Sequence, residues 1–137
     1  MAEPIASGLL TLAIFASQSS TSLAKTVQSF TVDSKSVRDL KEELKALSEV
    51  LRALIGTVDA TTDVDFSALN RPLLQCDKAC KEFEQEIIKC LSRSGGNRTS
   101  FRDWAKLSFM EDNIDGFRQR LAGYKATFSI ALADATM

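Results

Sequence analysis

The chain has 137 residues, with 17 basic and 18 acidic side chains for a net charge of −1, and it contains no histidine. That length suits a single domain over residues 1–137, large enough to bury roughly two-thirds of its unfolded surface without metals or disulfides. Near-neutral charge argues against a nucleic-acid partner, which calls for a marked Lys/Arg excess. The missing histidine excludes Ser-His and Cys-His catalytic pairs, His-ligated zinc and Glu-x-x-His di-metal sites.

The first predicted helix runs from Pro4 or Ile5 to Phe30. It places Ile5, Leu9, Leu12, Ala16, Ser19, Leu23, Thr26 and Phe30 on one seam, with Leu10 and Ile14 off it. A bundle helix ordinarily pairs an apolar stripe with a charged face. This one carries no charge from Pro4 to Ala24, and its first half is apolar almost all round. Three readings stand open. The helix is central and surrounded by the others; or it offers Leu10 and Ile14 to another copy or another protein; or its apolar tip enters a bilayer. Met1-Ala2-Glu3-Pro4 lacks the basic start of a signal peptide. The hydroxyl-rich run from Ser17 to Ser22 leaves the segment short of the ~20 predominantly apolar residues of a membrane span. A cytoplasmic location is therefore expected.

The second helix is the clearest. Val37, Leu40, Leu44, Leu47, Leu51, Leu54 and Val58 recur at alternating spacings of 3 and 4, an unbroken heptad seam. Ser36 is the expected N-cap, with Asp39 in the capping-box position. Lys41, Glu42, Lys45, Glu49 and Arg52 form a solvated face. Asp59 to Asp65 reads as a connecting loop, followed by a short turn over Phe66–Asn70. A third helix carries Pro72 in its first turn and ends near Arg93, before Ser94-Gly95-Gly96-Asn97. Cys76, Cys80 and Cys90 share its apolar arc with Leu73, Phe83 and Ile87 and read as free thiols packed as small hydrophobes.

Thr99 or Ser100 caps a short fourth segment, Phe101–Phe109, in which Trp104 reads as an inter-helix plug. The last helix, from about Asp112, aligns Ile114, Phe117, Leu121, Tyr124, Phe128 and Ala131. Its Gly116 and Gly123 each cost about 1 kcal/mol relative to Ala, which close approach of a neighbouring helix would offset. The expected fold is all-α: an antiparallel bundle of four long helices plus one short helix.

Chemistry is sparse. Gly95-Gly96 has no following Lys-Ser/Thr, so no phosphate loop is present. The i,i+4 pair Glu82/Glu86 sits among Lys78, Lys81, Glu84 and Lys89, the pattern of an exposed charged face. Asn97-Arg98-Thr99 is a glycosylation sequon, relevant only to a secreted chain. No enzyme, cofactor, metal site or small-molecule substrate is expected.

Several segments, taken in order, resemble one family. They are Met1-Ala2-Glu3-Pro4-Ile5 with its small-residue apolar helix, the run from Arg38 to Leu47, Cys76-Asp77-Lys78-Ala79-Cys80-Lys81-Glu82-Phe83, Phe101-Arg102-Asp103-Trp104-Ala105-Lys106-Leu107, and the closing stretch from Ile114 to Asp134. Together they are similar to the N-terminal domains of fungal STAND (NOD-like) proteins, of the azaphilone pigments biosynthesis cluster protein L N-terminal type, among the HeLo-like helical domains. The resemblance implies a helical effector or signalling domain whose N-terminal helix directs it to membranes in programmed cell death after oligomerisation. It makes Ile5, Leu9, Leu10, Leu12, Ile14 and Phe15 the candidate membrane- or partner-binding residues. The partners it implies are another copy or a helical protein, with peripheral membrane contact on activation.

Overall fold

The structure is a computed structural model that describes residues 4–28, 35–60, 65–93 and 111–135. All the regular structure among them is helical: α1 spans Pro4–Gln28, α2 Lys35–Ala60, α3 Asn70–Arg93 and α4 Glu111–Ala135, with a 3-10 turn at Ser67–Leu69 before α3. The expected short helix at Phe101–Phe109, with Trp104, and the sequon at Asn97 lie outside the described residues.

The predicted seam of α2 is wholly buried. Val37, Leu40, Leu44, Leu47, Leu51, Leu54 and Val58 all face the core. At about 1.5–3 kcal/mol for each fully buried aliphatic side chain, this stripe of five leucines and two valines is the largest apolar contribution of any one helix among the described residues. The helix begins at Lys35, two residues before the Val37 start that an N-cap at Ser36 implies, so Ser36 lies inside the first turn and is not its N-cap. Asp39 instead accepts a hydrogen bond from Lys35 Nζ at 2.7 Å, and this contact holds its carboxyl below the usual range. At the other end α2 continues through Asp59 and Ala60, residues the sequence places in the loop. Both are exposed, and such solvated ends carry no apolar period to mark them.

The turn before α3 is built locally. The Ser67 N–H donates to Asp65 Oδ1 at 2.9 Å, drawing the Asp65 carboxyl below its ordinary range, and the Leu69 N–H donates to Phe66 O at 2.9 Å. Pro72 then sits in the first turn of α3, where its missing N–H breaks no bond, and the helix ends at Arg93 as expected. Cys76 and Cys80 are free and buried. Their mutual contact and their burial push the Cys80 thiol well above its ordinary pKa, which keeps it in the unreactive protonated form. The Cys90 side chain lies outside the described residues.

The helices share one core but do not all touch. α1 packs against both α2 and α3, α4 packs mainly against α2, and a smaller contact joins α3 to α4. The packing order is thus α3, α1, α2, α4, closed by the Phe83 and Phe117 rings, which stack with centroids 4.2 Å apart and planes 3° from parallel. Across the α2–α4 interface Lys125 Nζ lies 2.9 Å from Glu43 Oε2.

Along α4 the predicted stripe is buried at Ile114, Phe117, Leu121 and Phe128 and half-buried at Tyr124 and Ala131. Its glycines do not behave as expected. A Cβ added at Gly116 or Gly123 would meet nothing within 4 Å, so no neighbouring helix approaches either one. Both lie on the exposed side of α4, where their cost is left uncompensated. Gly123→Ala should therefore raise the unfolding free energy by about 0.5–1 kcal/mol, whereas Leu47→Ala should lower it by about 2–5 kcal/mol. Urea denaturation with an unchanged m-value checks both.

Candidate functional site

The stretch of α1 from Pro4 to Ala24, which carries no charge, is the feature that composition alone does not explain, and the surroundings of α1 divide it into two halves. Its buried line is Leu9, Ala13, Ala16, Ser20, Leu23 and Val27. Ser19 is buried beside it, and Leu12 and Thr26 are half-buried. This arc is wider than the predicted seam because α1 has two neighbours, α2 on one side and α3 on the other. Leu10, expected to stand clear, packs against the core for the same reason. The helix is not enclosed, however: Thr11, Ile14, Phe15, Gln18, Thr21, Ser22 and Lys25 are exposed. That outward face corrects the reading of α1 as a helix surrounded on all sides.

Of the candidate residues, Leu9 is buried, Leu10 and Leu12 are half-buried, and Ile14 and Phe15 are 36% and 46% exposed. Ile5 lies in the first turns of α1, its side chain outside the described residues. The structure therefore brings Ile14 and Phe15 together on the outer face and turns Leu9 inward. The ammonium of Lys81 stands 6.0 Å from the Phe15 ring centroid, at the outer limit of a cation–π contact.

The second half of α1 is attached by polar contacts that the sequence reading missed. Ser19 Oγ donates to Asp77 Oδ1, and Asp77 is itself buried and paired with Lys81 at 3.1 Å. One heptad on, Ser22 Oγ donates to both oxygens of Glu84 at 3.0 and 3.1 Å, and Thr26 Oγ1 donates to Glu84 Oε2 at 2.7 Å. Toward α2, Ser20 Oγ donates to the Ser17 carbonyl at 3.0 Å and lies 3.3 Å from Ser48 Oγ. The Ser19–Asp77 and Thr26–Glu84 pairs both join residues 58 apart. That constant offset means α1 and α3 run side by side in the same direction. A signal was present in the sequence: Asp77 falls on the arc of Cys76, Ala79 and Cys80, and an acid on a buried arc needs donors, which Lys81 and the hydroxyl-rich partner helix supply here.

A second concavity of about 780 Å³ lies between α3 and α4. The Phe83–Phe117 stack forms part of its wall, and Lys81, Glu82, Glu86, Lys89 and Arg120 are among its charged lining. Glu82 and Glu86 are exposed there, as their spacing among lysines suggested. Among the described residues no group of three or more Cys, Asp or Glu side chains is placed to hold a metal ion. No helix among them is long and apolar enough to cross a membrane.

Removing the buried acceptor tests the seam. Asp77→Ala, which leaves the buried Ser19 hydroxyl without its acceptor, should cost about 1–3 kcal/mol of unfolding free energy. Asp77→Asn, which keeps an acceptor oxygen, should recover part of that loss in the same denaturation experiment.

The family model described as pigment biosynthesis cluster protein PigL N-terminal matches residues 2–137. The chain belongs to that family. No curated protein and no solved structure matches it.

Proposed function

We propose that this member of the PigL N-terminal family is a non-enzymatic effector or signalling domain of a fungal NOD-like protein. In this reading it is cytoplasmic at rest, and it is directed to membranes, as the executor of cell death, by oligomerisation and exposure of α1. Its finer architecture would be HeLo-like: successive long helices antiparallel, with a short additional helix at Phe101–Phe109. The observation that carries the reading is the division of α1. A helix without charge from Pro4 to Ala24, and with Ile14 and Phe15 already outside, is fastened to its neighbours by alanines, serines and water-replaceable hydrogen bonds, with few large apolar side chains among its described residues.

The energetics support a mobile role for this helix. α1 buries Leu9, Leu23, Val27 and two alanines, against five leucines and two valines in α2. At about 0.8 kcal/mol per buried CH₂, its apolar anchoring is several kcal/mol weaker. Exposing α1 also removes the main neighbour of α3, so an isolated copy resists the change. Contacts with a second copy would replace what is lost, which accounts for the need to oligomerise. Once exposed, the helix would lie in the membrane interface with its apolar side inward, in keeping with its hydroxyl-rich second half.

The test is dye leakage from liposomes under crosslinking or concentration-driven oligomerisation. Wild type should release dye. Ile14→Glu plus Phe15→Glu, which alters only exposed positions, should keep the fold and lose most of the leakage. Absence of leakage from oligomeric wild type would remove the reading.

A second reading rests on the same exposed pair. Ile14 and Phe15 would form a homo-oligomer or helix-docking face without membrane activity. Light scattering would then show a defined oligomer that the double glutamate variant abolishes, and liposomes would stay intact.

A further inference from the structure

The outward side of α3 has a pattern that neither the core nor the α1 seam explains. Arg71, Leu74, Lys78, Lys81, Gln85 and Ile88 recur at spacings of 3 and 4, and all six are exposed, Leu74 by 54% and Ile88 by 40%. The stripe contains no acid. The two carboxylates that lie between it and α1 are already engaged: Asp77 is buried under Ser19 and Lys81, and Glu84 accepts from Ser22 and Thr26. The remaining acids of mid-α3, Glu82 and Glu86, line the groove toward α4 together with Lys81 and Gln85 of the stripe, so Glu82 borders it on that side.

The 58-residue offset between α1 and α3 sets Leu74 level with Ala16, next to Phe15. Leu74 of α3 therefore falls at the height of Ile14 and Phe15 of α1, while Ile88 lies about 21 Å farther along α3. The exposed residues of α1 add no acid and one cation, Lys25. Although the whole chain carries a net charge of −1, the described residues of this face hold Arg71, Lys78 and Lys25 with Leu74 and Phe15, its two seam acids engaged with α1 and Lys81, and Glu82 on its α4-side margin.

We propose that the joint α1–α3 face, through Arg71 and Lys78 with Leu74 and Phe15, is the surface by which the folded domain docks on an anionic lipid membrane. Cations attract the headgroups while the intervening apolar side chains enter the boundary between headgroup and acyl chain. Leu74 and Phe15 beside Arg71 and Lys78 suit a surface that is charged outside and apolar beneath. Docking brings α1 to the bilayer before any helix moves. The inference rests on the membrane-directed reading above and adds the lipid class and the orientation.

The experiment is flotation of the full chain with phosphatidylcholine vesicles, with and without phosphatidylserine, scoring binding and not leakage. Wild type should bind the phosphatidylserine vesicles selectively, and added salt should release it. Arg71→Glu plus Lys78→Glu should weaken binding by more than about tenfold. Lys45→Glu plus Arg52→Glu, an equal charge change on the exposed side of α2, should leave it largely intact. Far-UV circular dichroism confirms that each variant is folded. Equal loss in the two variants, or equal binding to neutral and anionic vesicles, overturns the proposed face while leaving a membrane-directed α1 in place. Binding to neither vesicle overturns the proposed face, and the membrane-directed reading then stands or falls on leakage from the oligomer.

Discussion

The leucine seam of α2 is the constraint on which the rest of the structure depends. α1 and α4 both pack against α2, and α3 is attached chiefly through α1. The order of dependence differs from the order of the chain, in which α2 is followed directly by the turn and α3. An unbroken run of buried leucines gives α2 one defined rotational setting, since turning the helix by one residue would expose the whole stripe. With α2 so oriented, the small residues of α1 and the mixed aliphatic and aromatic stripe of α4 have defined surfaces to meet.

The two interfaces on either side of α1 use different chemistry. Toward α2 the contact is mostly apolar, with Ser20 beside Ser48 as its polar exception. Toward α3 it combines the apolar core with two carboxylates that receive hydroxyl groups from α1. Such bonds contribute modestly in net terms, because water offers the same partners to the separated groups. Their value lies in geometry. Matched pairs one heptad apart fix both the direction and the longitudinal position of α1 against α3, which featureless packing of alanines would leave loose.

Where burial follows from periodicity, the fold was legible. Every member of the α2 seam and the α4 stripe was readable because leucine, isoleucine and phenylalanine at alternating spacings of 3 and 4 have one favourable disposition, and the end of α3 at Arg93 was readable from Ser94-Gly95-Gly96-Asn97. The α1 arc was only partly so. Alanine and serine are tolerated inside and outside, and the presence of two neighbours widened the buried arc to take in Leu10 and Ala13. The seam to Asp77 and Glu84 was hidden for a different reason. A hydroxyl–carboxylate pair between helices leaves no repeat in the sequence, and Glu84 looks like any other acid among the lysines of α3. The glycines misled because the cost of glycine in a helix is visible in sequence, whereas the openness around Gly116 and Gly123 is not.

The packing order has a bearing on how the molecule comes apart. With α3 joined to α2 essentially by way of α1, the elements are coupled in series, and a fluctuation that loosens the middle member is transmitted to the one beyond it. The amides of α3 are then shielded from exchange little better than those of α1, apart from the turns held by the Phe83–Phe117 stack. The pair α2–α4, which retains its leucine interface and the Glu43–Lys125 contact, persists as the slower-opening half. A binding event on the outer face of α1 is thereby felt on both sides of it, and the domain divides along that helix before it unfolds as a whole.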